Sequence, residues 1–132
     1  MIVERIVIDH ILAQAEREAP IEACGFLFGM PGRITKDHQM TNADGREDHF
    51  SFDPNEHLAA LKAASANGLD IVGIYHSHPA TPARPSDEDI KLAHYPGIIY
   101  LIISLKEEQK SVRAFNIRDG QVAEESLIIE EN

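Results

Sequence analysis

Cysteine is almost absent from this sequence, which has Cys24 alone among 132 residues. One thiol cannot form an internal disulfide bond, and sparing use of cysteine is typical of proteins in a reducing compartment. Long apolar runs are missing too, since no stretch approaches the roughly 18 residues of a transmembrane helix. The N-terminal MIVERIVIDH has acidic residues within its apolar run and no cleavage site of a signal peptide. These absences predict a cytoplasmic protein that does not bind a membrane.

Basic residues are also scarce, with 12 lysines and arginines against 22 aspartates and glutamates, for a formal net charge of −10. Proteins that bind nucleic acid need a basic surface for the phosphates, so no nucleic-acid partner is expected. The acidic balance permits a basic protein partner, but solubility alone explains it equally well.

Apolar residues form 43% of the chain and charged residues 26%, which is ordinary for a globular protein. The length suits one domain over residues 1–132 with a sizeable core. The hydrophobic pattern predicts helices that alternate with strands, and hence an α/β fold in which helices flank a mixed sheet in three layers. The predicted helices cover residues 9–18, 54–67 and 86–94. The predicted strands cover residues 21–30, 34–40, 69–75, 98–105, 111–117 and 121–129, with a short extended piece at 50–52.

The second helix has the clearest start. Asp53 is a typical N-cap residue, and Pro54 suits the first helical position. Glu56 stands where a capping box places its acidic residue. The spacing predicts that Leu58, Leu61 and either Ala64 or Ser65 face the core.

The stretch IVGIYHSHPATPARPSDEDI, residues 71–90, concentrates the residues able to bind a metal. Alternate residues of a strand point to one face, so His76 and His78 aim at one point while Ser77 aims away. Asp89 supplies an oxygen from the next element. Two imidazoles and a carboxylate that leave a fourth position open are typical of catalytic zinc sites.

Each residue of this set also has a plain structural interpretation. A histidine is more often an ordinary polar residue than a ligand, and Ser86-x-x-Asp89 at a helix start is close to a capping box. A hydrolase would also need a general base, for which Glu22, at the start of the apolar strand IEACGFLFG, is the candidate. A glutamate there is more often a solvated strand end. Cys24 points to the same face and is most simply a packing residue, or else a thiol close enough to reach a metal.

The combination resembles the JAMM (MPN+) family of zinc metalloproteases. The family pattern has an upstream glutamate, then His-x-His-Pro, serine and aspartate. Glu22, the HSHP at 76–79, Ser86 and Asp89 match it at every position and spacing. The segment EACGFLFG also resembles the strand that holds the family's glutamate.

The resemblance implies a cytidine-deaminase-like three-layer sandwich with one Zn²⁺ per chain. It implies that His76, His78 and Asp89 are ligands, that Glu22 is the general base and that Ser86 stabilises the transition state. It further implies hydrolysis of the peptide or isopeptide bond after the C-terminal Gly-Gly of a ubiquitin-like or sulfur-carrier protein. The compact length is similar to that of prokaryotic members, without a eukaryotic-type insertion after the helix at Ser86.

Other functions stay open at this point. A non-catalytic scaffold or a metal-binding regulator could retain the same ligands. A zinc deaminase would need Pro-Cys-x-x-Cys, for which one cysteine is too few. Exposed edge strands would also allow a homodimer.

Overall fold

The structure is a computed structural model that describes residues 1–91, 93, 97–106 and 110–131. These residues form eight strands and three helices. The strands are β1 (Ile2–Glu4), β2 (Cys24–Met30), β3 (Arg33–Met40), β4 (Asp70–His78), β5 (Ile99–Ser104), β6 (Ser111–Arg118), β7 (Gln121–Glu125) and β8 (Ile128–Glu130). The helices are α1 (Arg5–Glu18), α2 (Pro54–Ala66) and α3 (Asp87–Lys91). In the described part of the chain, none of these helices is long and apolar enough to cross a membrane.

All eight strands join one mixed sheet in the order β7-β6-β5-β4-β2-β3-β1-β8. Strand β4 lies near its middle, antiparallel to β2 and parallel to β5. Side chains alternate between the two faces, as β5 shows: Leu101 and Ile103 pack with α1, whereas Tyr100 and Ile102 pack with α2. Helices therefore cover both faces of a mixed sheet, which confirms the predicted α/β architecture.

Helix α2 begins as the sequence predicts, because the Asp53 side chain accepts hydrogen bonds from the backbone N–H groups of Asn55 and Glu56. The Glu56 carboxylate does not return to Asp53, however, but accepts the backbone N–H of Thr41. Thr41 thereby links the end of β3 to the first turn of α2.

The predicted inner face of α2 is confirmed at Ala64 and wrong at the two leucines. Leu58 and Leu61 are 51% and 48% exposed, and Ala60 and Ala64 are the buried residues of the helix. Residues four apart lie on one helical face, and a face of alanines lets the helix axis approach the sheet closely. The leucine pair was the larger apolar signal, but it lies beside the contact face.

Several predicted boundaries also differ. The short strand β1 pairs in parallel with β3 and ends at Glu4. The first helix follows directly, so it begins at Arg5 rather than Asp9. The predicted strand over 121–129 is two strands, β7 and β8, at opposite edges of the sheet. Residues 50–52 lie in a loop. The predicted helix end at His94 lies outside the described residues.

A buried polar contact joins α1 to the middle of the sheet. The Tyr75 hydroxyl donates to Gln14 Oε1 at 2.6 Å, and Gln14 Nε2 donates to the carbonyl of Cys24 at 3.1 Å. Gly25 makes room for this contact, since a Cβ at that position would lie 2.4 Å from the Tyr75 ring. The contact fixes β2 and β4 against α1 on the face opposite α2.

Replacing Tyr75 with phenylalanine should lower the free energy of unfolding by about 1–3 kcal/mol, because Gln14 Oε1 would stay buried without its donor. Urea denaturation followed by circular dichroism measures this change. A double-mutant cycle with Gln14→Ala should give a coupling energy of at least about 0.5 kcal/mol between the two side chains. A coupling energy near zero would contradict the link.

Candidate metal centre

The two histidines predicted to share a face do so. Strand β4 continues through His78, and the Nε2 atoms of His76 and His78 lie 3.1 Å apart, with both residues buried. Ser77 points to the other side, where its hydroxyl accepts the backbone N–H of Ala23 at 2.8 Å. The pleat of β4 therefore separates the metal-binding face from a contact that holds β2.

Asp89 closes a triangle with the two rings. Its Oδ2 lies 3.2 Å from His76 Nε2 and 3.0 Å from His78 Nε2. A tetrahedron with bonds of about 2.0 Å, the usual zinc–nitrogen length, has edges of about 3.3 Å. The three atoms thus have the spacing of three corners of a zinc site, and within the described residues they form the one group of histidine, cysteine and acidic side chains able to hold a metal.

Ser86 positions Asp89 through the predicted capping box. Ser86 Oγ accepts the N–H of Asp89 at 3.0 Å, while Ser86 N–H donates to Asp89 Oδ2 at 2.9 Å. The same carboxylate oxygen faces His76 and His78, so the helix cap and the candidate metal site share one atom. The two interpretations of this serine and aspartate are compatible in the structure.

The proline-rich loop orients the second histidine. His78 Nδ1 donates to the carbonyl of Pro82 at 2.9 Å. With Nδ1–H held by this carbonyl, Nε2 donates to Asp89 when the ring is protonated and presents a lone pair to a metal when the ring is neutral. A backbone carbonyl in this role is typical of histidines that bind metals.

Charge in the cluster is strongly coupled. Burial opposes ionisation of Asp89, but hydrogen bonds from both imidazoles hold its pKa well below its usual range. Burial likewise opposes protonation of His78, but Asp89 and the Pro82 carbonyl raise its pKa above the ordinary value. The carboxylate is therefore ionised at neutral pH and ready to serve as an anionic ligand.

Glu22 joins the site from a distant part of the sequence. Strand β2 pairs Cys24 with His76, and this antiparallel register continues through the Ser77 N–H, which donates to the Ala23 carbonyl at 2.9 Å. One residue further, Glu22 lies opposite His78. Glu22 is only 4% exposed, and its Oε1 has no hydrogen-bond partner. Burial raises the pKa of its carboxyl to about 8, so Glu22 is not a solvated strand end.

Cys24 lies fully buried opposite His76, with its thiol 4.0 Å from the carbonyl of Met40. Burial raises the pKa of the thiol well above its usual range. Cys24 is also not a member of the group of described residues whose ligand atoms lie close enough together to hold a metal. The geometry favours packing as the role of Cys24.

The segment 42–52 flanks the site. The ring of Phe50 stacks on His76 with centroids 4.8 Å apart, and the segment lines a cavity of about 180 Å³ beside His76 and Asp89. The contacts of His49 were not predicted from the sequence. Its ring bridges Asp44 at 2.7 Å and Glu88 at 2.6 Å. Only the folded chain brings Glu88, next to Asp89, within reach of that ring.

Comparison with known families agrees with this geometry. The family model described as prokaryotic homologs of the JAB domain matches residues 4–118. The chain belongs to this family. A CysO-cysteine peptidase of Mycobacterium tuberculosis is 34% identical over 134 residues, which cover 99% of this chain and 92% of that one. A desampylase of Pyrococcus furiosus is 40% identical over 91 residues, which cover 69% of this chain and 65% of that one.

Several solved structures share the fold. A protein of Desulfitobacterium hafniense, solved in solution, superposes with a TM-score of 0.92 at 40% identity, covering 100% of this chain and 94% of that one. A structure described as JAMM, a metalloprotease-like zinc site in the proteasome and signalosome, gives a TM-score of 0.62 at 25% identity over 99% of this chain and 98% of that one.

The raised pKa of Glu22 predicts a pH-dependent effect on stability. A carboxyl with a pKa of about 8 in the fold and 4.5 ordinarily keeps its proton longer when folded, so its ionisation removes stability as the pH rises from 4.5 to 8. In chelator-treated protein, Glu22→Gln should therefore raise the free energy of unfolding by roughly 2–4 kcal/mol at pH 7 and by little at pH 4.

Urea denaturation at the two pH values measures the difference. Glu47→Gln, which changes an exposed glutamate of the 42–52 segment in the same way, is the control and should give no such gain. An equal effect of Glu22→Gln at both pH values would contradict the burial of this carboxyl.

Proposed function

We propose that the protein is a zinc metallopeptidase that hydrolyses the bond after the C-terminal Gly-Gly of a small ubiquitin-like or sulfur-carrier protein. The main support is one observation: among the described residues, Oε1 of the buried Glu22 has no hydrogen-bond partner, and this carboxyl group interacts electrostatically with His78 and Asp89 of the three-residue cluster. A general base beside a three-ligand metal site is the arrangement that metal-assisted hydrolysis needs.

His76, His78 and Asp89 would hold one Zn²⁺ per chain. Two nitrogens and one oxygen suit zinc, and three protein ligands leave the open position of a catalytic site. When bound, zinc supplies a Lewis acid that lowers the pKa of water towards neutrality. The Pro82 carbonyl would keep His78 in the tautomer that presents Nε2.

Glu22 would act as the general base and then as the general acid. Its free Oε1 can accept a hydrogen bond from the attacking water, take the proton and pass it to the leaving amine. Ser86 would stabilise the charge that develops on the carbonyl oxygen. Its oxygen already accepts the Asp89 N–H, so its own proton remains free to donate towards the substrate.

The substrate tail would enter extended, along the wall formed by residues 42–52. A Gly-Gly tail fits such a site because it has no side chains to clash with Phe50 and His76. The matches to a CysO-cysteine peptidase and a desampylase support a conjugated or extended small protein as the substrate. We infer further that residues 1–132 act as one catalytic domain in the cytoplasm, and that the open edges β7 and β8 would allow a homodimer.

A non-catalytic scaffold that keeps the metal is the alternative. One assay separates the two functions: the zinc-loaded protein is incubated with β-grasp proteins that carry a C-terminal cysteine, a peptide or a lysine-linked protein after Gly-Gly. Mass spectrometry should detect release of the group after Gly-Gly, and a chelator should abolish it. Metal binding without product across the panel would favour the scaffold.

The base and the ligands should behave differently on mutation. Glu22→Ala should retain about one zinc per chain but lose at least about 100-fold in turnover, because general-base catalysis contributes factors of about 10²–10⁴. His76→Ala and Asp89→Asn should lose both zinc and turnover. Metal analysis after gel filtration and single-substrate kinetics measure the two properties.

His10→Ala, which changes an exposed histidine of α1, is the matched control and should keep both zinc and turnover. Cleavage by Glu22→Ala at the wild-type rate would show that Glu22 is not the base.

Two measurements on a pair of variants, kcat and stability, separate the two proposed roles of Ser86. Ser86→Thr keeps a hydroxyl for both capping and donation, whereas Ser86→Ala removes both. Ser86→Ala should lose about 100-fold or more in kcat, the usual effect of removing one donor to the oxyanion. Loss of the cap alone should cost only about 1 kcal/mol of stability. An alanine variant that is merely less stable, with kcat unchanged, would leave Ser86 with capping alone.

A further inference from the structure

Glu22 lies outside the sheet that organises the rest of the site. Strand β2 begins at Cys24, so no regular strand pairing fixes the backbone of Glu22. Both of its backbone groups bond to the 42–52 segment instead. Its N–H donates to the carbonyl of Arg46 at 3.0 Å, and its carbonyl accepts from Asn42 Nδ2 at 3.0 Å. The position of this carboxylate therefore depends on a segment without helix or strand.

One buried side chain organises that segment. Asn42 is 7% exposed, and besides the Glu22 carbonyl its Nδ2 donates to the carbonyl of His49 at 2.8 Å. Its Oδ1 accepts the backbone N–H groups of Asp44 at 3.1 Å and Ser51 at 3.4 Å. A single amide thus takes the place of the hydrogen bonds that a regular element would supply.

The C-terminal end of the 42–52 segment reaches the candidate metal site. Phe50, beside both Ser51 and His49, stacks on the ring of His76. Asn42 therefore connects the backbone of Glu22 with the aromatic wall over His76. Its side chain forms no hydrogen bond with His76, His78 or Asp89 themselves. The amide is the only side-chain group of this length that offers two donors and an acceptor together.

We infer that Asn42 is a positioning residue for the general base: it holds Glu22 in place by joining its backbone to the 42–52 segment. This inference rests on the proposed function for its effect on catalysis, but not for its effect on structure. A displacement of about 1 Å at a catalytic group is enough to cost a large factor in rate. Loss of the Asn42 amide should thus slow turnover without loss of the metal.

The test uses Asn42→Asp, which keeps the shape and the acceptor but removes both donors, and Asn42→Ser, which is neutral and too short to reach the same partners. Asn67→Asp is the matched control, because it removes a comparable amide bond to the Ala63 carbonyl, 2.7 Å long, at the exposed end of α2. Each protein is loaded with zinc, and rates are normalised to the folded, zinc-containing fraction.

Both Asn42 variants should lose at least tenfold in kcat, with KM within threefold and one zinc per chain, while Asn67→Asp keeps the wild-type kcat. Hydrogen exchange read by mass spectrometry should rise in peptides that cover residues 20–24 and 42–52 and stay unchanged across β5. If Asn42 had a purely structural role, its loss would lower thermal stability, raise hydrogen exchange alike in all regions and leave the normalised kcat unchanged. If the aspartate variant does not fold, the serine variant carries the same expectation.

The inference is overturned if exchange in the two segments is unchanged, or if it rises while the normalised kcat stays at the wild-type value. If the wild-type zinc protein cleaves nothing across the substrate panel, the proposed function fails. The exchange comparison then still tests whether Asn42 holds the segment of Glu22, because exchange needs no turnover.

Discussion

The site depends on the antiparallel pairing of β2 with β4. The two-residue period of a strand puts His76 and His78 on one face, and the register with β2 sets Cys24 opposite His76, which brings Glu22, two residues before Cys24, towards His78. Ser77, between the histidines, bonds on the other face to the backbone of Ala23. A slip of one residue in this pairing would turn both imidazoles away from Asp89 and move the carboxylate to the wrong side.

Charge and burial make this arrangement costly on its own. Burial raises the pKa of Glu22, and the partly buried Asp89 lies beside two rings whose Nε2 atoms lie 3.1 Å apart. Such groups are stable together only when hydrogen bonds or a cation compensate. The capping box at Ser86 and the Pro82 carbonyl supply part of that compensation, and a divalent cation would supply the rest. The features that cost stability also make the site suited to hold a metal beside Glu22, the proposed base.

The sequence was sufficient to predict much of this site, and local periodicity explains why. His76, His78, Ser86 and Asp89 lie on one short stretch, where strand alternation and capping rules fix their directions. The roles of Glu22 and Asn42 depend on tertiary contacts. The place of Glu22 opposite His78 needs the β2–β4 register, which one sequence states only through its resemblance to a family. Asn42 gave no signal at all, because an asparagine in a polar loop is the commonest of observations.

The errors in the predicted fold have a similar origin. Leu58 and Leu61 dominate the hydrophobic pattern of α2, yet the alanine face packs on the sheet, since close approach of helix and sheet rewards small side chains. The early start of α1 and the split of the last predicted strand depend on pairing between β1, β3 and β8, which are distant in the sequence. Periodicity describes one element at a time and contains no information on such pairs.

The most direct test of the central claim is X-ray absorption spectroscopy at the zinc edge of the zinc-loaded protein. The account predicts a shell of nitrogen and oxygen at about 2.0–2.1 Å with the scattering pattern of two imidazoles and no sulfur. A sulfur shell near 2.3 Å would make Cys24 a ligand. Such a result, or scattering from fewer than two imidazoles, would contradict a metal centre built from His76, His78 and Asp89.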